Sequence, residues 1–257
     1  MKDKIVAEFD EFAHNYRELH QKNIEITGEA PEFFYEYKVK DLAGIIKEFG
    51  WEDKGLSILD FGTGIGNSLD FLIKYFPGAH LFGVDVSEES LSIARNKYQH
   101  RIAFNIFDGE NLPFEDEKFD VVFASCVFHH IDQEKHVQVL GEIKRVLKKN
   151  GALVIFEHNP LNPLTVRAVN ACPLDKDAVL LGVSTLKAVL RTSGFRFCES
   201  RYRVFFPSFL RYLRPIERYL YWLPIGAQYS ILARKGRAPA VVGVGAVEER
   251  IHDHDKI

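Results

Sequence analysis

The segment with the clearest chemical meaning is a glycine-rich loop, Asp60–Asn67, with the sequence DFGTGIGN. It follows an apolar run that predicts a β-strand and precedes a pattern that predicts a helix. Its glycines, Gly62, Gly64 and Gly66, let the backbone turn sharply and let a ligand approach the main chain closely. A tight strand-to-helix turn would use the same residues, so the loop by itself indicates a nucleotide-like cofactor without naming it.

The neighbours of the glycines distinguish between cofactors. A dinucleotide site has the pattern Gly-x-Gly-x-x-Gly, which seats a pyrophosphate on the helix N-terminus. Here the third glycine, Gly66, comes one position early and is followed by Asn67. The carboxylate of Asp60 would repel a pyrophosphate but could bind an ammonium group. S-adenosylmethionine has an α-amino group, a cationic sulfonium and no phosphate, so the loop favours it over a dinucleotide.

Two further acids stand at the ends of the next two predicted strands. Asp85 lies 19 residues beyond Gly66, where a carboxylate can accept hydrogen bonds from both hydroxyls of a ribose. The alternative is that Asp85 is only an acid near the start of the following helix, for which Ser87 is the better N-cap. Asp108 follows the third predicted strand and could accept a hydrogen bond from the amino group of adenine.

Short apolar runs that alternate with helical patterns must position these residues. Such alternation predicts βαβ units, a mostly parallel sheet and ligands at the carboxyl ends of its strands. Five strands are predicted over Ser57–Phe61, His80–Val84, Ile102–Phe107, Phe119–Ala124 and Ala152–Phe156, with helices between them over Asn67–Phe76, Glu88–Tyr98 and Gln133–Lys148.

The flanking regions complete the predicted organisation. Residues 1–50 predict a helical cap that includes a helix over Glu32–Phe49, and residues 51–235 predict the cofactor-binding domain, with 160–225 as its acceptor-site elaboration. Residues 236–257 lack periodicity and predict a flexible tail. Within the elaboration and after it, the predicted elements are a helix over Val183–Ser193, a strand or bent hairpin over Phe195–Phe206 and a last strand over Ala227–Ala233.

Four segments carry these features in order within about residues 57–160: SILDFGTGIG, FGVDVSEESLSIAR, FDGENLPFEDEKFDVVFASCVFHHI and RVLKKNGALVIFEHNP. Together they resemble the class I S-adenosylmethionine-dependent methyltransferases, and within them the branch of the ubiquinone and menaquinone C-methyltransferases. The resemblance implies a Rossmann-like α/β fold with a seven-stranded, mostly parallel sheet, helices on both faces, a helical and aromatic cap, and an antiparallel last strand, AQYSILA. It implies cofactor contacts at Asp60, Gly62, Thr63, Gly64, Gly66, Asp85, Val86, Asp108, Gly109 and Ser125.

Methyl transfer is an in-line displacement at an activated carbon, so proximity and orientation are its main requirement. A base is needed only for an acceptor that must lose a proton. The candidates for catalysis are His158, His129 and His130, with Glu157 beside them; a structural or lid role is the alternative for His129 and His130. The sequence offers no convincing metal cluster, and no metal is expected. The long irregular stretch that follows is typical of functional loops and contains Asn159, Cys172, Asp175 and Asp177.

An aromatic and basic segment occupies residues 201–237. Its eight basic residues and one acidic residue give it a net charge of +7, and nine aromatic residues lie within it. Residues 209–223 have helical spacing that Pro215 should split, with arginines on another face at Arg211, Arg214 and Arg218. One interpretation is a cap over the acceptor pocket with a solvated arginine face. The other is peripheral membrane contact through residues 207–223, toward an anionic or lipid-linked acceptor.

Composition limits the class of protein. A chain of 257 residues with 46% hydrophobic and 27% charged residues suits one elaborated α/β domain. Its net charge of −3 gives no reason to expect nucleic acid. Three cysteines without a Cys-x-x-Cys pair, an acidic N-terminal segment and no long apolar run predict a cytoplasmic protein. The predicted function is methyl transfer from S-adenosylmethionine to a small-molecule or lipid-linked acceptor. The alternatives are a non-catalytic S-adenosylmethionine-binding protein and, less favoured, an NAD-dependent oxidoreductase.

Overall fold

The computed structural model describes residues 10, 13 and 15–236, which are organised around a seven-stranded sheet. The strand order is β3-β2-β1-β4-β5-β7-β6. All pairs from β3 to β5 are parallel, whereas β7 runs antiparallel to both of its neighbours. The predicted mostly parallel sheet with an antiparallel last strand is confirmed. The strands are β1 (Ser57–Phe61), β2 (His80–Asp85), β3 (Ala103–Ile106), β4 (Phe119–Ser125), β5 (Leu147–His158), β6 (Phe197–Arg203) and β7 (Gln228–Arg234).

Alternate side chains of the central strand β4 pack into two separate cores. Val122 and Ala124 belong to the first core, and Val121 and Phe123 belong to the second. All four side chains are completely buried. A parallel strand that is covered on both faces needs a continuous apolar run rather than an alternating one, and this is the pattern from which β4 was predicted.

Helices cover both faces of the sheet, as predicted. The first core includes α5 (His136–Val146) and α7 (Val183–Thr192), and the second includes α2 (Pro31–Glu48), α3 (Leu69–Tyr75) and the end of α4 (Glu88–Tyr98). The ends of these helices lie within three residues of the predicted ends. The remaining described helices are α1 (Tyr16–Ile24), α6 (Pro163–Ala171) and α8 (Glu217–Leu220).

The N-terminal helix α2 carries a lysine on its buried side. It begins at Pro31, a position where the missing N–H of proline costs nothing. Its buried residues include Phe34, Lys38 and Leu42, which are spaced by four residues and therefore share a face. This face brings the Lys38 ammonium to the ends of β4 and β5. Residues 1–9 of the predicted cap and residues 237–257 of the predicted tail lie outside the described residues.

The aromatic segment does not form the predicted α-helix. Ser208–Ile216 is a 3₁₀-helix whose backbone leaves helical geometry at Leu210, and the α-helical turn α8 begins only at Glu217. Pro215 lacks the N–H that an α-helix would use and disfavours helical geometry in the residue before it. The predicted split of the segment is therefore present. The spacing of 3.6 residues per turn that was used for the arginines does not apply to residues 208–216, because a 3₁₀-helix has three residues per turn.

Candidate active site

The three loop glycines adopt backbone conformations that favour glycine, for different reasons. Gly62, Gly64 and Gly66 have φ angles of +74°, +51° and +84°. A Cβ atom on Gly66 would lie 2.6 Å from Cε2 of Tyr98, whose hydroxyl donates a hydrogen bond to the Gly66 carbonyl at 2.7 Å. A Cβ atom on Gly64 would meet nothing within 4 Å. Gly66 thus packs the loop against α4, while Gly64 keeps open the space beside the loop.

Asp60 is buried at the end of β1, beneath the glycine loop. Its Oδ2 accepts a hydrogen bond of 2.7 Å from the Thr63 hydroxyl. Burial raises the pKa of this carboxyl to about 7, against the opposing effects of the Thr63 hydroxyl and the Lys38 charge. Without a ligand, Asp60 is therefore close to its pKa at neutral pH. A cationic ligand would favour the ionised carboxylate.

Asp85, at the end of β2, ties the glycine loop to the start of α4. Its Oδ2 accepts a hydrogen bond of 2.7 Å from the Gly64 amide, and its Oδ1 accepts one of 3.0 Å from the Ser87 amide. Ser87 is also the N-cap of α4, since its hydroxyl accepts from the Ser90 amide. The two readings of Asp85 are therefore compatible, because each carboxylate oxygen has a further lone pair for a ribose hydroxyl.

The Asp108 side chain forms hydrogen bonds within its own loop. Its Oδ1 accepts hydrogen bonds from the amides of Glu110 at 2.8 Å and Asn111 at 2.6 Å, and the residue is exposed. The neighbouring Phe107 and Gly109 contribute to the wall of the cavity described below, whereas Asp108 does not. The predicted contact between Asp108 and adenine stays a prediction, and the geometry gives Asp108 a loop-shaping role.

A cavity of about 530 Å³ lies at the carboxyl ends of β1, β2 and β4. Eight of the ten predicted cofactor contacts line it, together with all three predicted histidines; the exceptions are Gly66 and Asp108. Much of the remaining wall comes from the predicted cap and the predicted acceptor-site elaboration, including His20, Tyr35, Leu164, Val169, Phe205 and Phe209. The structure thus brings together, around one space, residues that are far apart in the sequence.

Glu157 organises the loop that carries the histidine pair. Its Oε1 accepts hydrogen bonds from the amides of Val127 at 3.1 Å and Phe128 at 2.8 Å, and its Oε2 lies 2.5 Å from Nδ1 of His129. Both ionisable side chains are buried. Burial would raise the pKa of Glu157, but the charge and hydrogen bond of His129, the charge of His158 and the Phe128 amide together lower this pKa. Glu157 is therefore an anion that fixes the loop and the His129 ring.

Asp175 faces both members of the histidine pair. Its Oδ1 lies 3.5 Å from Nε2 of His129 and 3.5 Å from Nε2 of His130. Burial would lower the pKa of His129, but Glu157 and Asp175 raise it to about 10, whereas burial and the His129 charge lower the pKa of His130 to about 3. The sequence placed Asp175 only in a loop of unassigned role, because nothing in the sequence shows that residue 175 folds back onto residues 129 and 130.

A lysine, a thiol and the third histidine meet at the ends of β4 and β5. Nζ of Lys38 donates to Oγ of Ser125 at 2.9 Å and to Sγ of Cys126 at 3.1 Å. Burial would raise the pKa of the Cys126 thiol, but Lys38 and His158 outweigh it and lower this pKa to about 6. Nδ1 of His158 lies 3.4 Å from Nε2, the side-chain amide nitrogen, of Gln228. Sequence reasoning missed Lys38 and Cys126, although a lysine on the apolar face of α2 was a usable signal.

Asn159 and Cys172 have structural surroundings. The Asn159 side-chain amide donates to the carbonyl oxygens of Pro224 at 3.1 Å and Gly226 at 2.7 Å, which ties β5 to the turn before β7. Cys172 is buried in the cavity wall, and burial raises the pKa of its thiol to about 12. Neither group is placed to exchange protons near neutral pH.

The affinity for S-adenosylmethionine should rise as the pH increases from about 6 to about 8. The pKa of Asp60 is about 7 without ligand, and the cationic cofactor favours the ionised form, so binding at the lower pH must first release a proton. Titration calorimetry at both pH values measures this. Asp60→Asn should bind more weakly and lose the Asp60-dependent rise. An identical rise in wild type and Asp60→Asn would show that Asp60 does not face the cofactor.

Comparison with known proteins places this site in a family. Residues 59–155 match the family model described as a methyltransferase domain. A demethylmenaquinone methyltransferase of Thermotoga maritima is 35% identical over 105 residues, which are 41% of this chain and 44% of that protein. The corresponding enzyme of Chlorobaculum parvum is 41% identical over 108 residues, 42% of this chain and 43% of that protein. The chain thus spans less than half the length of these two relatives.

Solved structures share the fold. A methyltransferase of Thermotoga maritima that is described as S-adenosylmethionine-dependent, and as a possible histamine N-methyltransferase, has a TM-score of 0.63 at 21% identity and covers 90% of this chain and 99% of its own. Phosphoethanolamine N-methyltransferase 2 of Haemonchus contortus, in complex with S-adenosyl-L-methionine, has a TM-score of 0.56 at 21% identity and covers 80% of this chain and 57% of its own. At these identities the likeness shows the fold alone.

Residues 59–155 match a methyltransferase domain, and the sheet order and the glycine loop agree with the fold of the class I S-adenosylmethionine-dependent methyltransferases. Within this class the chain resembles the quinone-type branch, and its cofactor is S-adenosylmethionine. The predicted class, fold and cofactor are confirmed. The alternative of an NAD-dependent oxidoreductase receives no support from these matches.

Proposed function

We propose that the protein transfers the methyl group of S-adenosylmethionine to an acceptor that is carried in a lipid phase. The observation that carries this proposal is the exposed apolar surface beside the cavity. Phe209 and Leu164 line the cavity, and their side chains are 74% and 62% exposed. Further exposed apolar residues follow Phe209 in the same segment. We call this group the aromatic surface: Phe209, Tyr212, Ile216, Tyr219, Tyr221, Trp222 and Ile225.

A hydrogen bond links the aromatic surface to the N-terminal end of α6. Nδ2 of Asn162, the N-cap of α6, donates to the Ile225 carbonyl at 2.7 Å. The exposed residues Leu161 and Leu164 stand on either side of Asn162. A group of exposed apolar residues beside a cavity is typical of an interaction site for a membrane or another apolar partner. Aromatic side chains that mix apolar rings with polar edges suit the membrane interface.

Ion pairs within the protein neutralise part of the positive charge of residues 201–237. Arg201 pairs with Glu48 at 2.9 Å, Arg203 pairs with Asp41, and Arg214 pairs with Glu29. Arg214 also stacks over the Phe33 ring at 4.3 Å and is therefore turned inward. The predicted face of three arginines is wrong for this reason, and only Arg211 and Arg218 of that set are exposed. Membrane contact should therefore depend on apolar burial more than on charge.

The proposed chemistry needs a positioned cofactor and a proton acceptor. In the proposal, the glycine loop and Asp60 hold the methionine part of S-adenosylmethionine and Asp85 holds the ribose; Asp60, Asp85 and His158 line the same cavity, which supports this arrangement. In the proposal, orientation of the two substrates supplies most of the catalysis. An oxygen, nitrogen or carbon atom of the acceptor attacks the methyl group, and His158 takes the proton that this atom loses. The demethylmenaquinone methyltransferase relatives, whose names refer to a quinone, agree with an apolar acceptor.

The wild-type chain should bind phospholipid vesicles, and binding should weaken only modestly as salt increases, because salt screens charges but not apolar burial. Phe209→Ser and Trp222→Ser should each weaken binding by about tenfold or more, since burying a large apolar side chain contributes about 1.5–3 kcal/mol. Co-sedimentation with neutral and anionic vesicles measures both effects.

The matched control for these variants is Val137→Ser, which removes an apolar side chain that is 43% exposed on α5, outside the aromatic surface. It should leave vesicle binding unchanged. If the wild type ignores neutral and anionic vesicles at every salt concentration, the acceptor is a soluble molecule and the aromatic surface serves another contact. Among the described residues, no helix is both long and apolar enough to cross a membrane.

A further inference from the structure

The cavity wall contains a group of side chains with the composition of a metal site. His129, His130 and Asp175 each offer one ligand atom, and these atoms lie within 4.8 Å of one another. Two imidazole nitrogens and one carboxylate oxygen are a common three-ligand set for a transition metal that keeps an open position.

The distances within the group are long for direct hydrogen bonds and compatible with a shared ion. Oδ1 of Asp175 is 3.5 Å from Nε2 of His129 and 3.5 Å from Nε2 of His130. A direct N–H···O bond is usually about 2.7–3.2 Å long. Tetrahedral zinc with ligands at about 2.0–2.1 Å separates its ligand atoms by roughly 3.3–3.4 Å. Both measured distances are close to that ligand separation.

The surroundings of His129 match those of a metal-binding histidine. Nδ1 of His129 lies 2.5 Å from Oε2 of Glu157, which also fixes the loop through two backbone amides. A carboxylate at one ring nitrogen directs the other nitrogen to the metal and strengthens it as a ligand. Here the other nitrogen, Nε2, points to Asp175. Metal binding requires this nitrogen to be unprotonated, as at any imidazole ligand.

We propose that His129, His130 and Asp175 bind a divalent transition-metal ion, Zn²⁺ by the type of ligands, with an open coordination position toward the cavity. The three residues line the same cavity as Gly64 and His158, so an acceptor in that cavity could occupy the open position. If the proposed function holds, the bound metal ion would select acceptors with a metal-binding oxygen or nitrogen, and it would lower the pKa of an acceptor hydroxyl. The site itself does not depend on methyl transfer.

Cobalt binding tests the site directly. The full chain, stripped of metal with a chelator, is titrated with Co²⁺, whose visible absorption reports its coordination, and Zn²⁺ is then added as a competitor. We expect one Co²⁺ per chain and its displacement by Zn²⁺. Asp175→Asn and His130→Gln should each weaken binding by at least about tenfold, whereas His100→Gln, which changes an exposed histidine outside the group, should leave it unchanged.

Thermal unfolding without metal shows which variants are folded, and Asp175→Ser replaces Asp175→Asn if that variant is unfolded. Zn²⁺ should raise the melting temperature of the wild type and not of the folded variants. Absence of stoichiometric Co²⁺ binding, or equal binding in wild type and both variants, would overturn the proposal and leave a buried ion cluster only. A parallel titration with S-adenosylmethionine separates this failure from failure of the proposed function, because cofactor binding does not need the metal.

Discussion

Replacing Gly64 with valine should weaken S-adenosylmethionine binding by roughly 10- to 100-fold or more. A side chain at this position would enter the space beside the loop, where a Cβ atom now meets nothing within 4 Å. Overfilling a fitted site costs about 1–3 kcal/mol, and each 1.4 kcal/mol is a factor of ten in affinity. The Gly64 amide must also keep its hydrogen bond to Asp85, because this bond positions the carboxylate that is predicted to bind the ribose.

A matched variant separates this steric effect from backbone strain. Gly50 also has a positive φ, +66°, and also has no neighbour within 4 Å of an added Cβ, but it lies at the end of α2, outside the cavity lining. Gly50→Val should therefore lose stability in thermal unfolding, as Gly64→Val does, and yet bind the cofactor normally in calorimetry. Normal binding by folded Gly64→Val would show that the glycine loop does not hold the cofactor.

Replacing His158 with glutamine should lower kcat by about 10²–10⁴-fold, the range that general-base catalysis contributes. Glutamine keeps a polar side chain next to Gln228, the neighbour of His158 in the β5–β7 pairing, but it cannot accept a proton at neutral pH. The dissociation constant of S-adenosylmethionine should stay nearly the same, because the predicted cofactor ligands belong to β1, β2 and the loops that follow the strands.

The control for this variant is His80→Gln, since His80 is exposed at the start of β2, away from the strand ends that form the cavity. It should have wild-type kcat and cofactor affinity. If His158→Gln also keeps wild-type kcat, orientation of the substrates is sufficient and the acceptor needs no base from this histidine. If kcat falls and the dissociation constant of the cofactor rises, His158 instead supports the cofactor site.

Local patterns in the sequence were sufficient to predict the central sheet. The apolar run of β4 and the glycine loop after β1 depend on neighbours in sequence, so their strands and the turn could be predicted correctly. The start of β5 could not, because residues 148–150 are polar and half-buried or exposed, and the strand begins at Leu147 through its pairing with the distant Phe119.

The part of the cavity wall that lies outside the glycine loop could be recognised only from the structure. Lys38, Cys126 and Asp175 belong to three distant segments, and only the packing of α2 and the 160–180 region onto the sheet edge brings them to the histidines. The arginine prediction failed for a related reason. Arg214 has an acid partner, Glu29, that is 185 residues away in sequence, and no spacing within residues 207–223 could reveal it.

Methyl transfer into membrane lipid tests the central claim most directly. The full chain is incubated with methyl-labelled S-adenosylmethionine and membranes from its source organism, and organic and aqueous extracts are then counted and analysed by mass spectrometry. Folded Gly64→Val is the negative control. We expect label in an apolar product of the organic phase, in an amount that Phe209→Ser reduces. Cofactor binding without label in either phase would mean a non-catalytic binding protein, and label only in a water-soluble product would contradict the lipid-borne acceptor.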